Sequence, residues 1–227
     1  MFKIFKILLL LIFTAYPFSL NAHVKHYEEL KHIEFDIYRN NKLIGTHIFF
    51  FKKLDGQLVV KSEINFEIKK LGIVFYTYHV EGTEIYEDGK LIKFNSKTNQ
   101  NGKEKYVNMI LENEEYVIDG SSYQGKAPEN YFLGTWWNHN IVKAEAQISA
   151  VSGRIIKQKV TFLGKETIKF GEKNYNVLHF NFTSTDKKLT KGKKLNTDVW
   201  YDEETLYWVK ASFKKQGKWE YKLVSIN

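Results

Sequence analysis

Residues 57–68 show the clearest alternation of apolar and polar positions in the chain. Apolar side chains occupy one set of alternate positions and polar ones the other (Leu58, Val60, Ile64, Phe66 and Ile68 against Gln57, Lys61, Glu63, Asn65 and Glu67). A period of two residues predicts a β-strand with one buried and one solvated face. Stretches rich in Val, Ile, Thr, Phe and Tyr predict further strands near 31–39, 43–53, 73–87, 90–99, 103–111, 114–119, 154–163, 173–184, 196–202, 206–214 and 218–225.

Turn signals separate these stretches. Asp55-Gly56, Asp88-Gly89 and Asn101-Gly102 lie between β-prone runs, and Asn40-Asn41 and Gln216-Gly217 are weaker examples. Such pairs adopt the positive φ angles that two-residue hairpins need. We therefore predict an all-β fold, an antiparallel meander of about 10–12 strands. Because twist accumulates across such a sheet and open edges invite aggregation, it should curl into a closed or half-open barrel.

The segment 120–150 interrupts the strand pattern. It contains Pro128, the only proline after residue 22, and a polar stretch at 138–147 that includes Ile141 and Val142. We predict one short helix or ordered crossover near 128–147, with the barrel wrapped around it in the half-open form. Either form of the barrel should have an interior lined with Phe, Tyr and Trp.

The first 22 residues have the pattern of a secretory signal peptide. Lys3 and Lys6 precede an apolar run from Ile7 to about Phe18, and small residues lead to a cleavage site after Ala22. The apolar run is shorter than the ~20 residues that a transmembrane helix needs. We predict that residues 1–22 are removed and that residues 23–227 form a single periplasmic domain with no transmembrane segment.

The amino-acid composition excludes several kinds of chemistry. The 227 residues include no cysteine, which excludes disulfides, thiol nucleophiles and lipid-modified cysteine anchors. The net charge of +8 becomes +6 without the two signal-peptide lysines. This excess indicates either a lysine-rich solvated surface or attraction to anionic lipid or envelope polysaccharide. Scattered lysines and export both argue against nucleic acid.

The run from Tyr131 to Asn140 holds the most unusual residues. Two adjacent tryptophans, Trp136 and Trp137, are costly to expose in a connection between strands. They could form an aromatic wall for a lipid tail or sugar ring, with Asn138 and His139 as polar contacts. The alternative is a hydrophobic plug that holds the crossover in place.

Histidines supply the other candidate chemistry. His47 lies in a predicted strand, and His79 and Glu81 share one face of another, as an acid–base pair would. A buried histidine that bridges strands is the alternative. The chain has no His-Glu-x-x-His, Gly-x-Ser-x-Gly or Gly-rich phosphate motif, so we predict no catalytic residue, metal site or cofactor.

The C-terminal block predicts a three-stranded meander with aromatic residues on both faces. Its first strand contains Trp200 and Asp202, which we include among the ligand-binding candidates. One face should belong to the core, and the other to a groove or a subunit contact.

Short motifs along the chain together resemble a known family. They are Ile44-Gly45-Thr46-His47, Tyr78-His79, Glu84, Asp88-Gly89-Lys90-Leu91, Asn101-Gly102, Trp137-Asn138, Asp198-Val199-Trp200-Tyr201-Asp202 and Glu220-Tyr221-Lys222-Leu223. The set is similar to a domain-of-unknown-function family of exported bacterial proteins, itself distantly similar to a larger family of uncharacterised exported β-barrel proteins. The resemblance implies a signal-bearing periplasmic β-barrel with no established catalytic residues. Here Trp136 stands where Tyr is usual, and His139 where a proline is expected.

Three functions are consistent with these observations. The first is a non-enzymatic periplasmic protein that binds a lipophilic or amphiphilic ligand in the barrel. The second is a cell-envelope structural or assembly protein that acts through a strand edge or a basic face. The third is a hydrolase that needs His79, Glu81 or His47 in one open pocket.

Overall fold

The alternating stretches form one sheet of 15 strands in the computed structural model, which describes Tyr27 and residues 29–227. The strands are β1 (His32–Arg39), β2 (Lys42–Leu54), β3 (Gln57–Lys70), β4 (Ile73–Glu87), β5 (Lys90–Gln100), β6 (Lys103–Glu112), β7 (Glu115–Gly120), β8 (Tyr123–Pro128), β9 (Phe132–Leu133), β10 (Ala146–Ile148), β11 (Ile155–Phe170), β12 (Lys173–Ser184), β13 (Asn196–Asp202), β14 (Trp208–Lys214) and β15 (Lys218–Ile226). Two 3-10 helices are His139–Lys143 and Lys191–Lys193. The predicted signal peptide and its cleavage site lie outside the described residues.

The first and last strands of the domain pair in the middle of the sheet. β1 pairs antiparallel with both β2 and β15, so the strand order runs from β8 through β1 to β15 and on to β9. β9 and β10 form a parallel pair at one edge, while the other pairs are antiparallel. β8 and β9 remain unpaired on their outer sides, so the sheet is not closed. The half-open form of the predicted barrel is therefore the observed one.

The structure has more strands than the 10–12 predicted. The extra strands β8, β9 and β10 are short and come from the segment 120–150, where Pro128 and the tryptophans hide the alternation. β11 also continues to Phe170, beyond the predicted end at 163. A bulge between Phe162 and Gly164, which has a φ of 132°, shifts the register and breaks the period of two.

The hairpin turns explain how the meander reverses. Both central residues have positive φ in six two-residue turns of the described chain (Asn40-Asn41, Asp55-Gly56, Leu71-Gly72, Asp88-Gly89, Asn101-Gly102 and Asn113-Glu114), and Gln216 and Gly217 share it in a three-residue turn. Asn and Asp tolerate this conformation, but Leu71 adopts it too, with φ 52°. The left-handed conformation costs a residue such as leucine roughly 1–2 kcal/mol. Leu71 is therefore an unfavourable residue for its own turn.

Aromatic side chains fill the interior, as predicted. The largest fully buried side chains include Trp137, Trp208, Tyr27, Tyr201 and Phe35. The rings of Phe35 in β1 and Trp208 in β14 have centroids 4.0 Å apart. Their contact connects the two halves of the sheet beside the β1–β15 pair. Within the described part of the chain, no helix has the length and apolar character needed to cross a membrane.

Candidate functional site

The segment 129–154 carries the two adjacent tryptophans into the barrel. The predicted short helix of this segment is the 3-10 helix His139–Lys143, and Asn138 caps it by accepting a hydrogen bond from the Asn140 N–H at 3.1 Å. Trp136 has a φ of 60°, a conformation that bulky residues rarely adopt. This turn separates the two indoles, so that Trp136 and Trp137 contact different parts of the interior.

Trp137 meets a buried carboxyl group. Its Nε1 donates a hydrogen bond to Glu84 Oε1 at 2.9 Å, and the Tyr86 hydroxyl donates to Glu84 Oε2 at 2.5 Å. Burial raises the pKa of Glu84 to about 7, although hydrogen bonds from Tyr86, Trp137 and Thr135 act in the opposite direction. A carboxyl that exchanges its proton near neutral pH thus anchors the crossover to β4.

His139 attaches the crossover to the other half of the sheet. Its ring is buried and lies edge-on to Tyr201, with centroids 4.8 Å apart. Its backbone N–H donates to the Tyr27 hydroxyl at 3.2 Å, and that hydroxyl donates to the Leu206 carbonyl at 3.1 Å. Together with Trp137 and Asn138, His139 makes the contacts expected of a plug that holds the crossover in place.

A cavity of about 230 Å³ lies on the other side of the crossover. Its lining comes from β2 to β5, from the crossover, from β11 and from Leu195, which precedes β13. Most of it is apolar (His47, Ser62, Ile64, Val80, Gly82, Phe94, Ser96, Gly134, Thr135, Trp136, Gln147, Ser149, Ala150, Val151, Ile156 and Leu195). Several lining residues are half-buried, among them Ala150, Val151 and Leu195, and the cavity is partly open to solvent. Its volume lies below the ~300–1,000 Å³ of typical small-molecule sites.

Two polar atoms on the cavity wall lack hydrogen-bond partners among the described residues. They are Nδ1 of His47 and Nε1 of Trp136, and both atoms are buried. The rings lie near each other, since each contacts Trp208 (5.8 and 5.7 Å) and Tyr221 (5.9 and 6.3 Å). Burial lowers the pKa of His47 to about 3, so the imidazole is neutral at physiological pH. Buried polar groups are normally satisfied, and unsatisfied ones at a cavity indicate a ligand or water position.

Three larger clefts, of about 600, 550 and 400 Å³, also occur among the described residues. Asp202 contributes to the first and Asn138 to the second. The Asp202 carboxylate accepts hydrogen bonds from the backbone N–H groups of Glu204 (3.1 Å) and Thr205 (2.8 Å), so it shapes the β13–β14 turn. None of the three is lined by a described residue with a buried, partnerless side-chain N or O atom like that of His47, so the smaller cavity is the stronger candidate for a binding site.

His79 and Glu81 form the predicted pair but on the outer face of β4. His79 Nε2 lies 3.4 Å from Glu81 Oε1, and the two side chains are 42% and 68% exposed. His47 projects into the interior, on the opposite face of the sheet. The three residues therefore do not share one pocket, and the arrangement that the hydrolase hypothesis requires is not assembled.

Trp200 also lies on the outer face. The His179 ring stacks on it at 4.2 Å and the Lys210 ammonium lies 4.4 Å from its centroid on the neighbouring strand. His179 lies between two carboxylates, with Nδ1 3.2 Å from Glu166 Oε1 and Nε2 3.5 Å from Asp198 Oδ1. This ladder of charged and aromatic groups spans β11 to β14, and it is a different region from the cavity.

Sequence reasoning missed the importance of Glu84. The signal was present, because Glu84 falls in phase with the inward residues Tyr78, Val80 and Tyr86 of its strand. An acidic residue at an apolar position of the alternation predicts a buried carboxyl. The partners of that carboxyl could not be predicted, since Trp137 is 53 residues away.

One solved structure shows a similar architecture. A β-barrel-like protein of the domain of unknown function DUF1849 from Brucella abortus has a similar fold, with a TM-score of 0.62 and 9% identity over 87% of this chain and 97% of that one. A putative exported protein with a YmcC-like fold from Bacteroides fragilis covers 86% of this chain and 94% of its own at 10% identity, with a TM-score of 0.36. Among curated proteins, none matches the sequence. A family model matches residues 35–224, and the chain belongs to that family, described as Domain of unknown function (DUF6134).

Proposed function

We propose that this is an exported binding protein that holds the apolar part of a lipophilic or amphiphilic molecule in the 230 Å³ cavity. The observation that carries the proposal is the pair of partnerless buried atoms, His47 Nδ1 and Trp136 Nε1, on an otherwise apolar wall. Export rests on the signal-peptide pattern of residues 1–22. Binding requires no chemical step, so the buried neutral imidazole serves as a hydrogen-bonding group.

The polar groups on the cavity wall limit the chemical class of the ligand. The indole N–H of Trp136 can only donate, while a neutral imidazole nitrogen donates or accepts according to its tautomer. The cavity therefore suits an apolar chain or ring that ends in an oxygen, such as a hydroxyl, carbonyl or carboxyl group. The volume suits a small molecule or one end of a longer acyl chain rather than a whole two-chain lipid.

Native mass spectrometry provides the first test. The protein is purified from the periplasmic fraction without detergent and compared with a denatured aliquot. We expect an excess mass that disappears on denaturation and identifies the ligand class. A bare monomer mass, combined with no heat of binding for decanoate in calorimetry, would contradict the proposal.

Variants locate the binding in the cavity. Trp136→Phe keeps the ring and removes the N–H, so decanoate affinity should fall about tenfold. Ala150→Phe narrows the opening and should weaken binding further. Trp219→Phe is the matched control, since its indole donates to the Lys215 carbonyl at 2.8 Å outside the cavity. Equal losses in Trp136→Phe and Trp219→Phe would mean that binding is not at this wall.

An assembly role through a strand edge has less support. The two edges of the sheet are short, since β8 has six residues and β9 has two. β8 also contains Lys126 and ends at Pro128, and both residue types discourage strand addition. The other form of the hypothesis, an assembly role through a basic face, depends on residues outside β8 and β9.

A further inference from the structure

The hairpin turns lie at two opposite ends of the barrel, and the two ends differ in charge. We call one the basic end (residues 39–42, 69–73, 100–105 and 214–218) and the other the acidic end (residues 52–57, 87–90, 112–115, 170–173 and 202–207). Within these described segments, the basic end has nine basic residues and one acidic residue, Glu104. The acidic end has four basic and ten acidic residues. The barrel is therefore strongly polarised along its axis.

Positive charges at the basic end lie close enough to affect each other. Burial lowers the pKa of Lys105, and the charges of Lys215 and Lys103 lower it further. Ion pairs occur at both ends: Lys69 pairs with Glu67 (3.1 Å) and Lys218 with Glu220 (3.2 Å) at the basic end, and Lys165 pairs with Glu203 beside the acidic end. With Glu67 and Glu220 counted beside Glu104, nine basic residues still stand against three acidic ones, so the net charge of the basic end remains positive, as expected of a surface that attracts an anionic partner.

An apolar hairpin tip projects from the basic end. Leu71, Ile73 and Phe75 are 94%, 73% and 74% exposed, and none of them belongs to the hydrophobic core. Neighbouring strands stop pairing at Gly45–Phe66 and Tyr78–Gln100, so the β3–β4 tip extends about four residues, or roughly 13 Å, beyond them. Lys69 and Lys70 flank the apolar residues.

Leu71 is the least favourable of these residues for the isolated protein. The other two-residue turns that begin with a positive φ give it to Asn or Asp, and Leu206, which shares it in the β13–β14 turn, is half-buried. The Leu71 side chain gains nothing from burial in return. Positions where a residue contradicts its local conformation without compensation inside the fold tend to be functional. The gain that retains leucine here should therefore come from outside the chain.

We propose that the basic end docks on an anionic lipid membrane, with the apolar tip of the β3–β4 hairpin entering the interfacial layer. Lysines attract the anionic headgroups, while exposed Leu, Ile and Phe side chains partition into the boundary between headgroups and acyl chains. A second copy docked through its own basic end would bring two strongly positive ends together and is disfavoured. A second copy docked through its acidic end would match the charge but would not make the protein float with anionic vesicles. An anionic polysaccharide would bind the lysines but would leave the apolar tip in water. This inference does not depend on the proposed ligand function.

Vesicle flotation tests the docking. The exported protein is mixed with vesicles of phosphatidylglycerol and phosphatidylcholine in equal parts, or of phosphatidylcholine alone. We expect binding to the anionic vesicles, reduced by salt, and little binding to the neutral ones. No flotation with anionic vesicles at low salt would overturn the proposal.

Leu71→Asn distinguishes docking from folding, because it should weaken vesicle binding while it stabilises the fold. The substitution should lower the vesicle partition coefficient about tenfold and raise the urea midpoint of unfolding, since Asn suits the turn. Leu54→Asn is the control, because Leu54 is 49% exposed beside a turn at the acidic end. It should leave vesicle binding unchanged.

Charge variants identify the partner class. Lys69→Gln and Lys70→Gln should each reduce binding about fivefold, while Lys52→Gln and Lys53→Gln at the acidic end should not. If the lysine variants lose binding to heparin and vesicles alike while Leu71→Asn binds normally, the partner is a polyanion and lipid docking is wrong. Trp136→Phe should bind vesicles like the wild type, so failure of the cavity proposal leaves this result unaffected.

Discussion

Replacing Glu84 by Gln keeps the shape of a fully buried side chain and removes its titration. The Gln carbonyl can accept the Trp137 N–H, and its amide can donate to the Tyr86 hydroxyl, which then acts as acceptor. The hydrogen-bonded junction between β4 and the crossover therefore persists. The variant therefore separates the contribution of the buried charge to the free energy of unfolding from the contribution of packing.

The magnitude follows from the pKa of Glu84, which burial raises from 4.5 to about 7. Between these values the unfolded chain releases its proton while the folded protein keeps it, so stability falls as the pH rises. Each pH unit costs about 1.4 kcal/mol in the free energy of unfolding, or about 3 kcal/mol in total above pH 7. The Gln variant lacks this loss. Its stability relative to wild type should therefore increase by about 3 kcal/mol from pH 4.5 to pH 8.

Urea unfolding at several pH values across this range measures the difference. Glu81→Gln is the control, because its side chain is 68% exposed and its substitution should change stability little at any pH. If the difference between Glu84→Gln and wild type stays constant from pH 4.5 to pH 8, folding does not raise the pKa of Glu84 and the reasoning is wrong.

Two further predictions concern the same interior. Trp137→Phe removes the indole donor to Glu84 and should reduce the free energy of unfolding by about 1–3 kcal/mol, whereas Trp219→Phe should cost less in the same urea experiment. Burial lowers the pKa of His47 from 6.5 to about 3, so the free energy of unfolding of the wild type should fall by about 1.4 kcal/mol per pH unit as the pH falls through this interval. His47→Leu should not show this loss of stability in acid. Parallel stability curves for His47→Leu and wild type in acid would contradict the second prediction.

The candidate site shows which features the local sequence pattern could predict and which it could not. His47, Trp136, Trp137, Asn138 and His139 attracted attention as residue types in unusual places, and the structure buries Trp137, Asn138 and His139 in the plug and puts His47 and Trp136 on the cavity wall. The hypothesis that His79 and Glu81 share a face was sound, but alternation alone does not say which face is inside. Trp200 and Asp202 were also singled out, yet they lie away from the cavity.

The order of elements and the turns were readable from the sequence by itself, because a period of two residues and turn pairs such as Asp88-Gly89 are local properties. The signal-peptide pattern and the charge excess were local too. Only the tertiary structure decided that β1 pairs with β15, that Glu84 meets Trp137 and that the basic turns share one end. Those contacts join residues far apart in the chain, and no local periodicity encodes which strands become neighbours when a long sheet twists and curls.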